Sequence, residues 1–288
     1  MASMRDIKRR KVSIQSTQQI TKAMKLVSTV KLQKAKTRAE QSKTYFDYMY
    51  KTVTSMLAKS GNINHPYLVA GESKKKAVIA ITSNRGLAGG YNANVTKLIT
   101  NSDIPKEDAY IYAIGRKGKD FLARRGYEIK TDYSDVINEP IYKDAAEISK
   151  EVLNQFAKGE IGEIYLAYTS FKNTVSHIPT LMKLLPVEMN EESNNEVTTT
   201  DKLTMMNYEP EEEEALNMII PKYITSLIYG ALVEAVASEN GARMQAMDSA
   251  TSNAEEMISD LSLKYNRARQ GSITQELTEI IAGANAIS

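Results

Sequence analysis

Cysteine and tryptophan are both missing from this sequence, and only two histidines, His65 and His177, occur in its 288 residues. Without cysteine there are no disulfides, no thiolate metal sites and no thiol nucleophile, a composition that fits a reducing compartment. Two histidines leave little material for His-rich metal centres or for most histidine-based catalysis. HExxH and GxSxG are absent as well, and the clustered carboxylates Glu211–Glu214 read as helix-dipole caps. The chain itself is expected not to be an enzyme, and no cofactor or metal is expected. Its apolar runs read as too short to span a bilayer. The opening MASMRDIKRRK has neither a signal-peptide core nor an acid-poor transit stretch, so the chain is expected to stay where it is made.

Proline and glycine are also scarce where it matters. All seven prolines lie between Pro66 and Pro221, and the first glycine is Gly61. Sixty opening residues without either breaker, rich in Lys, Gln, Ala and Met, predict one long helix, with Ser3 and Asp6 resembling a capping box. At 1.5 Å per residue such a helix is roughly 80 Å long. At the other end, Pro210 followed by four glutamates is a helix start. Pro221 is expected to kink that helix or to separate a short first piece. From Lys222 onward a second helix of roughly 95 Å is expected.

What is present is charge, unevenly placed. Residues 1–60 carry fourteen Lys and Arg against Asp6, Glu40 and Asp47, while residues 209–288 carry five against thirteen acids. Opposite ends of one chain can therefore attract each other, or each can face its own partner. Both ends show a narrow apolar stripe at spacings of three and four: Ile20, Ala23, Val27 and Val30 near the start, and Met247, Ala250, Ala254, Met257, Leu261, Tyr265 and Ala268 near the end. A narrow stripe is a coiled-coil seam. The simplest account is that the two terminal helices pair antiparallel, and two separate coils with other chains are the alternative.

The middle differs in kind. KKAVIAITS (74–82), DAYIYAIG (108–115) and EIYLAYTSF (163–171) read as buried strands, separated by helical NANVTKLI, RKGKDFLARRG and YKDAAEISKEVLNQFAKG. Alternation of this kind gives an α/β domain with a mostly parallel sheet. TVSHIPTLMKLLPV adds an edge strand, because Pro179 bars a central place. The expected organisation is a coiled-coil helix over 1–60, an α/β domain over 74–188, a polar linker over 189–208 and a second coiled-coil helix over 209–288.

SNRGLAGGYNAN (83–94) follows a strand and precedes a helix, where α/β folds often hold phosphate. Yet Gly86, Gly89 and Gly90 fit neither GxGxxG nor GxxxxGK[ST], so a tight structural turn is the better reading. The basic first helix has three readings: a nucleic-acid binder, a solvated coiled-coil flank, or a surface facing an acidic protein. No helix-turn-helix, zinc or RNP pattern supports the first, and no aromatic residue precedes Tyr45.

Four strings taken in order are more specific: QQITKAMKLVSTVKLQKA, SNRGLAGGYN, ENGARMQAMDSAT and YNRARQGSITQELTEIIAGANA. Together they resemble the gamma subunits of F-type ATP synthases of the bacterial type, along essentially the whole chain. The resemblance implies an α/β fold plus a long antiparallel α-helical coiled coil of the two terminal helices, with a central Rossmann-like domain. It implies a non-catalytic rotor shaft, one copy per complex, coupling ion flow through a membrane ring to ATP synthesis or hydrolysis on beta subunits. The implied partners are alpha and beta subunits, an epsilon subunit and the membrane ring of c subunits, on the cytoplasmic side of the cell membrane, with no nucleic acid.

Carried over by motif, Met24 with Lys22 and Lys25 would meet an acidic beta loop. Arg243, Arg269, Gln270, Thr274 and Glu276 would engage beta loops elsewhere on the shaft. Ile280, Ile281, Ala284 and Ile287 would sit in an apolar bearing, and Tyr208 and Glu209 would form a foot against the ring and epsilon. Without the resemblance, Met24 reads as a seam residue and Arg243 as an intrahelical partner of Glu239, four residues earlier.

Overall fold

The computed structural model describes residues 4–59, 65–187 and 212–287. Ser3, Pro210, Glu211 and the linker 189–208 therefore lie outside the described residues. In chain order the elements are α1 (Met4–Lys59), β1 (Lys76–Ile81), α2 (Tyr91–Thr100), β2 (Ala109–Ile114), α3 (Arg116–Arg124), β3 (Glu128–Asp132), α4 (Tyr142–Ala157), β4 (Glu163–Phe171), β5 (His177–Leu185) and α5 (Glu212–Ile287). The chain divides into two compact units, one of Met1–Thr29 with Arg243–Ser288 and one of Val30–Ala242.

The larger unit is built on a five-stranded sheet in the order β3-β2-β1-β4-β5. The first four strands run parallel and β5 pairs antiparallel to β4 at the edge, with Pro179 opposite Thr169. Strand β3 was not expected from the sequence. Its EIKTD has no apolar run, and its burial alternates because it lies at the other edge of the sheet. Alternation along β1 divides the core in two. Val78 and Ala80 face a layer with Val95 and Ile99 of α2 and Leu122 of α3. Ala77, Ile79 and Ile81 face α4 (Ala145, Ile148, Val152), α5 (Leu216, Ile220, Ile224, Ile228, Leu232) and Val53 and Met56 of α1. A sheet covered on both faces is the arrangement that continuous apolar strands require.

Pro221 neither breaks α5 nor detaches its first turns, because the helix runs unbroken from Glu212 to Ile287. Proline removes one helical hydrogen bond at a cost of about 3 kcal/mol. Leu216, Ile220 and Ile224, fully buried around it, hold the helix in place. One stretch of α5 is also long and apolar enough to cross a membrane by composition alone, contrary to expectation. Over half of that stretch is buried within the protein, as in a core helix.

The smaller unit contains the first part of α1 and the last part of α5, and they run antiparallel. Gln18 Nε2 donates to Glu255 Oε1 at 2.9 Å, the Thr21 and Thr251 hydroxyls meet at 2.8 Å, and Lys25 Nζ lies 2.5 Å from Asp248 Oδ1. As the α1 number rises from 18 to 25, the α5 number falls from 255 to 248. The buried and half-buried positions of α1 here are Met4, Ile7, Lys11, Ile14, Gln18, Thr21, Met24, Lys25 and Ser28. Apart from Met24 they follow a strict heptad. On α5 they include Met247, Thr251, Ala254, Ile258, Leu261, Tyr265 and Ala268.

The stripe expected on α1 is therefore corrected. Ile20, Val27 and Val30 are exposed, and the seam runs through Gln18, Thr21 and Ser28 instead. On α5 most of the expected stripe holds, with Ile258 in the seam where Met257 was expected. Thr21, Ser28 and Thr251 share the seam with larger residues such as Ile7, Ile14, Met247 and Leu261, and their hydroxyls still find acceptors. Thr21 also reaches the Gln18 carbonyl at 3.0 Å, and Thr251 the Met247 carbonyl at 2.7 Å. Two hydroxyl protons thus serve three contacts, so each threonine keeps an acceptor if its partner is removed.

Two stability predictions follow from this geometry. Gly115 has φ of 103°, and a Cβ there would lie 2.2 Å from the Thr82 carbonyl oxygen. Gly115→Ala should cost more than about 3 kcal/mol in a denaturant titration, and an unchanged midpoint would contradict the contact. In the seam, Thr21→Val and Thr251→Val should each cost under about 1 kcal/mol, with the double variant no less stable than the parent. Thermal unfolding of the four chains measures this cycle, and a double variant much weaker than either single one would contradict it.

Candidate functional site

The seam takes in large apolar side chains such as Ile7, Ile14, Ile258 and Leu261, yet several others on the paired helices point outward. Val12, Ile20, Leu26 and Val27 on α1 are exposed, Val27 to 57 %. On α5, Met257, Leu263, Ile273, Leu277, Ile280 and Ile281 are exposed too. Solitary exposed apolar residues need no explanation, whereas a surface carrying this many marks a place of contact. Ala268 and Ser272 are the last half-buried positions of α5, and from Ile273 to Asn285 every side chain is exposed. The pairing register carried back to Met4 ends opposite roughly the same point, so the last turns of α5 continue beyond α1 as a single helix.

The expected contact residues fall into three groups. Lys22 is exposed and has no ion pair among the described residues, while Met24 is half-buried beside the seam. Lys25 is half-buried and already engaged by Asp248, an ion pair with side chains 39 % and 57 % exposed. At that exposure the pair contributes less than about 1 kcal/mol and leaves Lys25 available to a stronger acid. Arg243 is half-buried, and both it and Glu239 make contacts within the fold.

Arg269, Gln270, Thr274 and Glu276 are exposed toward the end of α5. The Thr274 hydroxyl is turned back to the Gln270 carbonyl at 2.9 Å, which satisfies it without using a partner. Ile280, Ile281 and Ala284 are exposed, Ile280 to 67 % and Ile281 to 60 %. The side chain of Ile287, and Tyr208 and Glu209 altogether, lie outside what the structure describes. Sequence reasoning missed Gln18, Thr21, Thr251 and Glu255 as the pairing residues. The signal was there in the strict heptad 7-11-14-18-21-25-28, but it is hidden when only apolar residues are counted.

The glycine-containing loop 83–94 is a turn tied to its own fold. Asn92 Oδ1 accepts from the Ser83 amide at 2.9 Å, Asn84 Nδ2 donates to the Ser134 carbonyl at 2.7 Å, and Asn84 Oδ1 accepts the Arg116 amide at 3.0 Å. Leu87 takes φ of 61° and Gly89 of 55°, which turns the chain sharply into α2. No group of His, Asp and Glu among the described residues is placed to hold a metal ion.

Comparison with known proteins places this architecture. A family model described as ATP synthase matches residues 3–287. The ATP synthase gamma chain of Lachnoclostridium phytofermentans is 75 % identical, with all of both chains covered. The ATP synthase gamma chain, sodium ion specific, of Acetobacterium woodii is 42 % identical with 99 % of each chain covered. Among solved structures, a chain of the Tetrahymena thermophila mitochondrial ATP synthase central stalk and c-ring matches with a TM-score of 0.57 and 26 % identity, over 80 % of this chain and 99 % of that one. A chain of the Euglena gracilis mitochondrial ATP synthase has the same fold, with a TM-score of 0.70 at 17 % identity over 99 % of this chain and 94 % of that one. Matched from residue 3 to residue 287 and sharing three quarters of its residues with a curated relative of the same extent, the chain belongs to the ATP synthase gamma-chain family.

Proposed function

We infer that the chain acts as the central rotor shaft of an F-type ATP synthase, transmitting rotation between a membrane ring and the nucleotide sites of beta subunits. The observation that carries this reading is the antiparallel pair of terminal helices, whose seam mixes apolar and polar side chains and whose outer surface still displays several large apolar ones. A pair of helices that stood alone in water would bury Val12, Ile20, Leu26 and Val27 rather than display them. The chain forms and breaks no bonds itself, since the catalytic sites of the complex are on other subunits.

The mechanism rests on symmetry. Two antiparallel helices of different sequence have no three-fold axis, so they present a different face to each of three chemically identical beta subunits. Positive charge on α1 and negative charge on α5 sharpen the difference. Each face favours a different beta conformation, and turning the shaft shifts the populations of open and closed nucleotide sites in sequence. Lys22, Met24 and Lys25 meet an acidic beta loop, and Arg243, Arg269, Gln270, Thr274 and Glu276 meet others. At the tip, Ile280, Ile281, Ala284 and Ile287 turn in an apolar sleeve, where non-directional contacts grip without fixing an angle. Tyr208 and Glu209 serve as the foot on the c-ring and the epsilon subunit, on the cytoplasmic face of the cell membrane. The nucleic-acid adaptor reading has no support in the relatives.

Mixing the chain with alpha and beta subunits tests the whole proposal. One copy should enter each alpha–beta hexamer, and the chain alone should hydrolyse no ATP; three or six copies per hexamer would rule it out. Ile280→Asp with Ile281→Asp tests the sleeve. Both side chains are exposed in the free chain, so its melting should move by less than about 0.5 kcal/mol. Assembly should weaken by more than about a hundredfold, because two carboxylates would enter a dry site. Unchanged assembly and unchanged coupled synthesis would remove the sleeve from the account.

A further inference from the structure

Helix α5 is fastened to the β4–β5 hairpin by residues one turn apart, and one of these contacts is chemically unusual. Glu234 Oε2 accepts the Phe171 amide at 3.2 Å, and the Ser238 hydroxyl donates to the Thr169 carbonyl at 3.1 Å. Next along this stripe comes Gly241. A Cβ there would lie 2.5 Å from His177 Nε2, 3.1 Å from Cε1 and 3.6 Å from Cδ2. The imidazole edge thus occupies the place of a side chain on the helix, and only glycine permits it. His177 pairs with Phe171 across the hairpin, their ring centres 6.0 Å apart. Its Nε2 is shielded from solvent and has no hydrogen-bond partner.

We propose that His177 is an acid-sensitive latch: its neutral imidazole lets α5 seat on the hairpin at Gly241, and its protonation lifts the helix away. A neutral ring leaves Nε2 as a bare acceptor, which van der Waals contact with a glycine tolerates. A protonated ring carries an N–H and a positive charge into the same dry space, and such a group must reach water or an acceptor. The charged side chains on the elements packed here are Lys172 after β4, and Glu234, Glu239 and Arg243 along α5. Glu234 is taken up by the Phe171 amide, and Glu239 and Arg243 already make contacts within the fold. Burial alone pushes the His177 pKa below its ordinary 6.5, with no compensating carboxylate. A lowered folded-state pKa gives stability that is complete above the ordinary value and is lost as pH falls from there through the folded value. The inference concerns the larger unit by itself and stands whether or not the rotor reading holds.

Hydrogen–deuterium exchange of the full-length chain, corrected for intrinsic rates and compared at about pH 7.5 and about pH 5, tests the latch. Amides of residues 169–177 and 234–242 should exchange faster in acid, by about tenfold for each unit by which the histidine pKa is depressed. His177→Gln, neutral at both pH values, should abolish that difference. Gly241→Ala should expose the same amides at both pH values, because its Cβ forces the ring out. Acid-independent protection in the parent, an acid response that survives in His177→Gln, or full protection in Gly241→Ala would each overturn the proposal.

Discussion

Close approach of two backbones governs the paired terminal helices. Thr21 against Thr251 and Gln18 against Glu255 let α1 and α5 lie together, with Ile20, Leu26 and Val27 left on the outside. These polar contacts alternate along the seam with Ile7, Ile14, Ile258 and Leu261, so aliphatic layers fill only part of it. The external surface of the pair is correspondingly rich in groups that gain from being covered.

The larger unit solves the opposite problem. Its sheet is buried on both faces, and the α5 residues Leu216 to Leu232 form part of the same apolar layer as α4 and the end of α1. The helix that supplies half of the coil is therefore continuous with a helix embedded in a conventional core. Pro221 lies within this stretch without interrupting the helix.

Much of this was legible in the sequence, and the exceptions share a cause. Strands β1, β2 and β4 declare themselves through unbroken apolar runs, and the long helices through the absence of breakers. Pro179 correctly marked an edge strand. The misplaced α1 stripe came from the assumption that apolar side chains face the helix partner. For Ile20 and Val27 this fails, because the heptad of α1 turns Gln18, Thr21, Lys25 and Ser28 toward α5 instead. Strand β3 escaped notice because an edge strand with charged, half-exposed residues has no hydrophobic signature. The His177–Gly241 contact, 64 positions apart in the chain, leaves no local pattern at all, as the space a glycine vacates is visible only in three dimensions.

Beyond Ser272 the described side chains of α5, as far as Asn285, are all exposed. A lone helix of about fifteen residues is marginal in water, held by little besides its backbone ladder and local pairs such as Gln275 with Glu279. In the proposed sleeve, its full order would be completed by the surrounding subunits, and part of the attraction between tip and sleeve would be spent on straightening the tip. That toll would lower the net grip, and a tip turning in such a sleeve is better served by surfaces that hold firmly in sum and weakly at every point.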